Sequence, residues 1–140
     1  MDIIKSFTAF YTDLESMKVE DLSSIYSDDV TFIDPIDEHH GINAVENYFS
    51  RLLQNAKYCQ FVIHSAESAD AERFVVEWTM SYTSTRLNKG EPISVDGLTL
   101  LEVHNDRITR HRDYYDMGQM IYEHIPIFGG LIKRIKRNIG

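Results

Sequence analysis

At 140 residues the chain has the length of one domain and is long enough to bury a core of its own; 43% hydrophobic against 26% charged residues excludes wholesale disorder. The formal charge is −8, and −12 once Lys133, Arg134, Lys136 and Arg137 near the end are set aside; an acidic body excludes nucleic acid as the main partner, because phosphate contacts need a basic surface. No apolar run is long enough to cross a bilayer, Met1–Phe10 lacks the pattern of a secretory signal and the lone Cys59 cannot close an internal disulfide, so a cytoplasmic location is expected.

Ile3, Phe7, Phe10 and Leu14, with Ile4 and Tyr11 beside them, follow helical spacing. Val19, Leu22, Ile25 and Tyr26 repeat it in a second, shorter helix. Val30–Asp34 is a short β-type run ended by Pro35, which cannot donate into a ladder. Ile36–Gly41 reads as a loop. A third helix follows, with Val45, Tyr48, Phe49, Leu52, Leu53 and Ala56 on one wide apolar stripe. The period then changes to two. Tyr58–Ser65 is a strand, and in the next Phe74, Val76, Trp78, Met80 and Tyr82 alternate with Val75, Glu77, Thr79, Ser81 and Thr83. Asn88-Lys89-Gly90 turns the chain into Ile93–His104, and Asn105-Asp106 turns it into Ile108–Tyr115. Helices first and a strand meander afterwards is an α+β plan, an antiparallel sheet that needs helices on one face.

Two stretches carry a family resemblance. Ser27-Asp28-Asp29-Val30-Thr31-Phe32-Ile33-Asp34-Pro35-Ile36 resembles the end of the second helix and the first strand of the NTF2-like superfamily. Arg107-Ile108-Thr109-Arg110-His111-Arg112-Asp113-Tyr114-Tyr115-Asp116 is similar to the last strand of its SnoaL-like members. The superfamily includes SnoaL-like polyketide cyclases, ketosteroid isomerases and limonene-type epoxide hydrolases. The resemblance implies a cone, in which a strongly bent antiparallel sheet wraps three N-terminal helices and leaves an apolar pocket open at one end. It covers roughly residues 2–124, which divides the chain into a SnoaL-like domain at 1–124 and an extension at 125–140. It also implies a homodimer through the convex sheet face, in keeping with Leu98 and Leu100 on the second face of their strand.

By the matched motif, Asp34 stands where ketosteroid isomerases place their general base; a carboxylate facing an apolar pocket is desolvated and becomes a usable base near neutrality. The alternative is that Asp34 before Pro35 only starts a turn. The rest of the isomerase site is incomplete: the tyrosine position holds Phe10, with Tyr11 turned by about 100° on the helix, and the acid position holds Thr99. The epoxide-hydrolase site is incomplete too, because the strand around Trp78–Tyr82 has no Arg-x-Asp. His111 and Asp113 remain, on one face of a strand with Tyr115 next. At about 6.5–7 Å between successive same-face residues, they stand too far apart for an unaided hydrogen bond but close enough to share a substrate. The expected catalytic set is therefore Asp34, His111 and Asp113. Phe10, Tyr11, Phe49, Leu53, Trp78, Met80, Tyr82, Thr99 and Tyr115 are expected to line the ligand site or the core, and their bulk suits a small apolar molecule. Cofactor-free chemistry is implied. His39-His40 beside Asp37 and Glu38 lack a distant second ligand pair, so no metal site is assigned.

The tail is outside the resemblance. Ile125, Ile127, Phe128, Leu131, Ile132, Ile135 and Ile139 alternate with four basic residues after Gly129-Gly130. That pattern is a short basic amphipathic helix, which closes the cone mouth, packs on a second copy or makes weak contact with a membrane surface through 125–140. Three functions are open: an acid–base enzyme of the isomerase, cyclase or dehydratase kind, a non-catalytic carrier or sensor of an apolar ligand, and an accessory protein that works through its surfaces.

Overall fold

Asp2 starts the first helix. Its carboxylate accepts the Ile4 N–H at 3.0 Å, and α1 (Ile3–Thr12) buries Ile3, Phe7, Phe10 and Tyr11 on one side. The computed structural model describes residues 2–55 and 58–140; Ala56, expected on the stripe of the third helix, lies outside the described residues.

The expected second helix is a different structure. Val19–Ser24 is a short 3-10 helix, and Tyr26 already belongs to β1 (Tyr26–Ile33). Leu22, Ile25 and Tyr26 are buried as the helical pattern required. The last of them was claimed by the sheet, through the Ile108 N–H to Ile25 carbonyl bond at 2.9 Å and the pairing of Tyr26 with Ile108. Tertiary pairing outweighed local spacing. The expected loop after Pro35 also contains a strand, β2 (Glu38–His40), paired antiparallel to β1. Its three polar residues carry no hydrophobic period from which to read it. Gly41, at φ +87°, then turns the chain into α2 (Ile42–Asn55), a conformation that suits glycine.

β3 (Tyr58–Ser68), β4 (Arg73–Thr83), β5 (Ile93–His104) and β6 (Arg107–Tyr115) form the expected meander, and β6 continues onto β1. The six strands lie in the order β2-β1-β6-β5-β4-β3 in a curved, unclosed sheet. All pairs are antiparallel except β1 with β6. Bulges between Ile63 and Ser65 in β3 and at Thr109 in β6, opposite Glu102 and Val103, bend it. Asn105 and Asp106, at φ 51° and 58°, make the tight turn between β5 and β6. The core lies between α1, α2 and the inner sheet face, where Phe7, Phe32, Phe49, Val76, Trp78 and Leu101 are buried. The outer face leaves Val62, Leu98, Leu100 and Tyr114 exposed.

After β6 come α3 (Met117–Met120), a turn at Tyr122–His124, and α4 (Phe128–Ile139). Gly129 and Gly130 lie inside α4 rather than before it. A Cβ on Gly129 would stand 2.2 Å from the Glu123 carbonyl oxygen, so glycine is what lets the helix approach the body. Among the described residues no helix is long and apolar enough to cross a membrane.

Candidate functional site

Four elements send polar side chains to one place on the inner face. Tyr11 comes from α1, Tyr26 from β1, Thr99 from β5, and His111 and Asp113 from β6. They form a continuous hydrogen-bonded row. The Tyr11 hydroxyl meets the Tyr26 hydroxyl at 2.8 Å, and Tyr26 meets His111 Nδ1 at 2.8 Å. His111 Nε2 meets Asp113 Oδ1 at 2.7 Å, Thr99 Oγ1 donates to the same oxygen at 2.6 Å, and Trp78 Nε1 donates to Thr99 Oγ1 at 2.8 Å.

The His111–Asp113 bond corrects the sequence expectation. Backbone spacing separates the Cα atoms, but the imidazole extends along the strand and covers the difference. One set of proton positions satisfies the whole row. With Asp113 ionised and His111 neutral, Nε2–H donates to the carboxylate, Nδ1 accepts from Tyr26, and Tyr26 accepts from Tyr11. His111 is 1% exposed and stacks on Phe32 with ring centroids 4.0 Å apart. Both its nitrogens are engaged, and it does not line the cavity beside Asp113. Asp113 Oδ2 accepts no hydrogen bond from the described residues, and Asp113 lines a cavity with Phe7, Tyr11, Phe61, Ile63, Trp78 and Thr99.

That cavity is small, about 10 Å³, room for one water. It adjoins, through Tyr11, a groove of about 390 Å³ between the end of α1 and the start of β3, lined by Thr12, Leu14, Tyr58 and Gln60 among others. Cys59 lines that groove and also an apolar cavity of about 140 Å³ formed with Leu52, Met80, Tyr82 and Met120. The expected ligand-site residues thus divide. Tyr11, Trp78, Thr99 and Asp113 line the inner cavity, and Met80 and Tyr82 the apolar one. Phe10 and Phe49 pack edge-on against each other in the core, and Leu53 is half-buried on α2. Tyr11, although one position from the expected register, is the tyrosine that reaches the polar row.

Asp34 is buried just past the end of β1. Its Oδ1 accepts the backbone N–H groups of Ile36 and Asp37 at 2.8 and 2.9 Å, so it does build the turn. It also acts on the site. Burial first, then the charges of Asp34 and Asp113, hold the phenols of Tyr48 and Tyr115 above the usual tyrosine range. These two half-buried tyrosines stand within electrostatic reach of both carboxylates and remain neutral O–H donors. Burial likewise raises Tyr11 and Tyr26 well above the ordinary value. Sequence reasoning left out Tyr26 and Tyr48 as site residues. The available signal was a tyrosine in place of phenylalanine on an otherwise apolar buried stripe, since a buried hydroxyl needs a partner.

His39 stacks on Tyr48 with centroids 4.6 Å apart. Among the described residues no three His, Cys, Asp or Glu side chains gather as a metal set. Trp78 is positioned by a glycine. It pairs with Gly97 across β4 and β5, and its indole lies over that glycine so closely that a Cβ would come within 2.3 Å of two ring carbons.

Comparison with solved structures places the architecture. A hypothetical protein with a ketosteroid isomerase-like fold from Catenulispora acidiphila, crystallised with trimethylamine, matches with a TM-score of 0.76 at 19% identity, over 89% of this chain and 94% of that one. A putative SnoaL-like polyketide cyclase from Jannaschia matches at 0.71 and 10% identity, over 83% and 86%. An LEH-like epoxide hydrolase of M. tuberculosis matches at 0.67 and 18%, over 84% and 79%. At these identities the likeness is one of fold. No curated protein matches the sequence. The SnoaL-like domain model matches residues 7–111, more than half of the chain and every member of the polar row but Asp113, and on that match the chain belongs to the SnoaL-like family, with an NTF2-like fold.

Proposed function

We propose that the protein binds a small apolar molecule at the Tyr11 end of the cone and moves a proton on it without a cofactor, as an isomerase, cyclase or dehydratase does. Asp113 is the group that exchanges the proton. The observation that carries this reading is the double donation to a single oxygen: His111 and Thr99 both hold Oδ1, which leaves Oδ2 for the substrate. A carboxylate fixed this way, beside Trp78, Phe61 and Phe7, is a preorganised base. Tyr48 and Tyr115 serve as neutral donors to an oxygen on which charge develops, and Asp34 as the second carboxylate of the cluster. In an isomerisation, Asp113 takes a proton from one carbon and returns it to another, so nothing is consumed.

The test uses 5-nitrobenzisoxazole, whose N–O bond breaks to a cyanophenolate when a carboxylate removes the proton on C3. Wild type is expected to open it faster than the Asp113→Asn variant by a factor on the order of a hundred or more. Equal rates in the two proteins would refute the role of Asp113.

A second reading rests on the cavity sizes. About 10 Å³ beside Asp113 is too little for a substrate ring, whereas about 140 Å³ beside Met80 and Met120 suits a benzene-sized group. A carrier would fill the second cavity and leave the first alone. Native mass spectrometry of gently purified protein separates the two: a co-purified molecule retained equally by wild type and Asp113→Asn, with no turnover by either, favours the carrier.

The assembly we propose is a homodimer through the outer sheet face. Leu98, Leu100, Val62 and Tyr114 supply exposed apolar area, with Arg110 and Arg112 toward one end and Glu77 and Asp96 toward the other. A two-fold axis would lay each charged end over its opposite. Leu98→Asp with Leu100→Asp is expected to give a monomer by sedimentation equilibrium. The buried Cys59, whose thiol burial pushes up to about 11, suits the reducing cytoplasm.

A further inference from the structure

The last helix leaves most of its apolar side uncovered, although Phe128 packs edge-on against Tyr122. Gly129 packs against the Glu123 backbone, and Lys136 bridges Glu123 at 3.0 Å and Asp116 at 3.3 Å, which fixes the face of α4 that touches the domain. Around the helix, at about 100° per residue, Leu131, Ile135, Phe128 and Ile139 fall within one arc beside that contact face. All four are exposed, Ile139 to 81%, and Ile127 just before the helix is 95% exposed. Lys133, Arg134 and Arg137 occupy the opposite side and make no ion pair among the described residues.

Ile127 adds an independent observation. Its φ is +68°, the left-handed region that a β-branched side chain adopts only at a cost of about 1–3 kcal/mol. The strained backbone presents an isoleucine to solvent at the leading edge of the apolar arc.

We propose that α4 and Ile127 form a docking surface for an anionic lipid bilayer. The occupant is set by charge. The body is strongly acidic and repels anionic surfaces, while α4, with its exposed apolar arc, carries four basic residues and no acidic one. A helix lying in the interface plane, with its apolar arc among the acyl chains and lysine and arginine at headgroup level, uses both features. At twelve residues its hold is weak and reversible, and it carries the pocket to the membrane surface, where apolar molecules concentrate.

The experiment is co-sedimentation of the whole protein with vesicles of phosphatidylcholine alone and of phosphatidylcholine mixed with phosphatidylglycerol. Binding is expected to the mixed vesicles only and to fall as salt is raised. Lys133→Gln, Arg134→Gln and Arg137→Gln together should weaken it on the order of a hundredfold, about fivefold for each charge. Leu131→Asp with Ile135→Asp should abolish it while leaving the Trp78 emission unchanged, because both positions are exposed. Absence of binding, equal binding to both vesicles or an unaffected double-aspartate variant would overturn the proposal. So would lipid-independent self-association removed by that same pair, which would make a second copy of α4 the occupant.

Discussion

Replacing Gly97 by alanine should disturb the site through a single methyl group. The new Cβ would lie 2.3 Å from Cη2 and Cζ2 of Trp78, against the 3.4 Å and beyond of ordinary contact, an overlap of more than an ångström. The indole has little room to yield, being held between Phe61 and Tyr115 at centroid distances of 5.3 and 6.2 Å. Overpacking of this kind costs about 1–3 kcal/mol, and loss of the Trp78 bond to Thr99 about 0.5–1.5 more. The sum, about 1.5–4.5 kcal/mol, lowers Tm by on the order of 10 °C in a domain of this size. Trp78 is the chain's one tryptophan, so urea unfolding followed by its fluorescence reads stability and local environment together. Gly97→Ala should lower the midpoint and shift the native emission to the red, and Trp78→Phe in that background, followed by far-UV circular dichroism, should recover part of the loss. A variant within about 0.5 kcal/mol of wild type with unchanged emission would refute the steric argument.

Within the polar row, position should govern cost. Tyr26→Phe orphans both the Tyr11 hydroxyl and His111 Nδ1 and should cost about 1–3 kcal/mol, whereas Tyr11→Phe removes an end member and should cost less, about 0.5–1.5; urea midpoints in the reverse order would contradict the connectivity. At alkaline pH the same two phenols should destabilise the fold. Their folded values are raised, so their contribution is intact below the unfolded value near 10 and is lost as pH rises above it, at about 1.4 kcal/mol per pH unit for each. Urea stability measured across that range should fall less steeply in a Tyr11→Phe, Tyr26→Phe double variant; an equal slope would place the ionising groups elsewhere. Cys59, buried and with its thiol pushed up to about 11, should react with a thiol-specific disulfide reagent only as the protein unfolds. Rapid labelling of native protein would show that the Met80 cavity admits solvent.

Where a side chain's role depends on its own strand or helix period, the sequence was legible. The alternation in β4 and the stripe of α2 predicted both element and buried face. It failed where a distant partner decides. Tyr26 fits a helix by spacing and is a strand because β6 lies alongside. β2 has no apolar residue to mark it and exists because β1 offers an edge. His111 and Asp113 were legible as a pair on one face, but their bond depends on imidazole reach. The rest of the row, from Tyr11 to Thr99, needs three other elements folded into place. Asp34 was legible as a turn former, and its two backbone bonds show that turn; its work as an acid belongs to the proposed function.

The parallel contact of β1 with β6 has a consequence for how the chain comes to be folded. Tyr26 and His111 are separated by 85 residues, and their bond exists only when the sheet has closed β6 onto β1. The meander from β3 to β6 is built of successive hairpins with short loop closures, whereas β1 must wait for the last strand of the sheet. During synthesis the first third of the chain therefore carries Tyr11 and Tyr26 without their acceptor, and α1 has no complete sheet to cover until β6 emerges. The step that completes the fold is the same one that joins the row, so a chain cut short before β6 has neither a closed core nor a site.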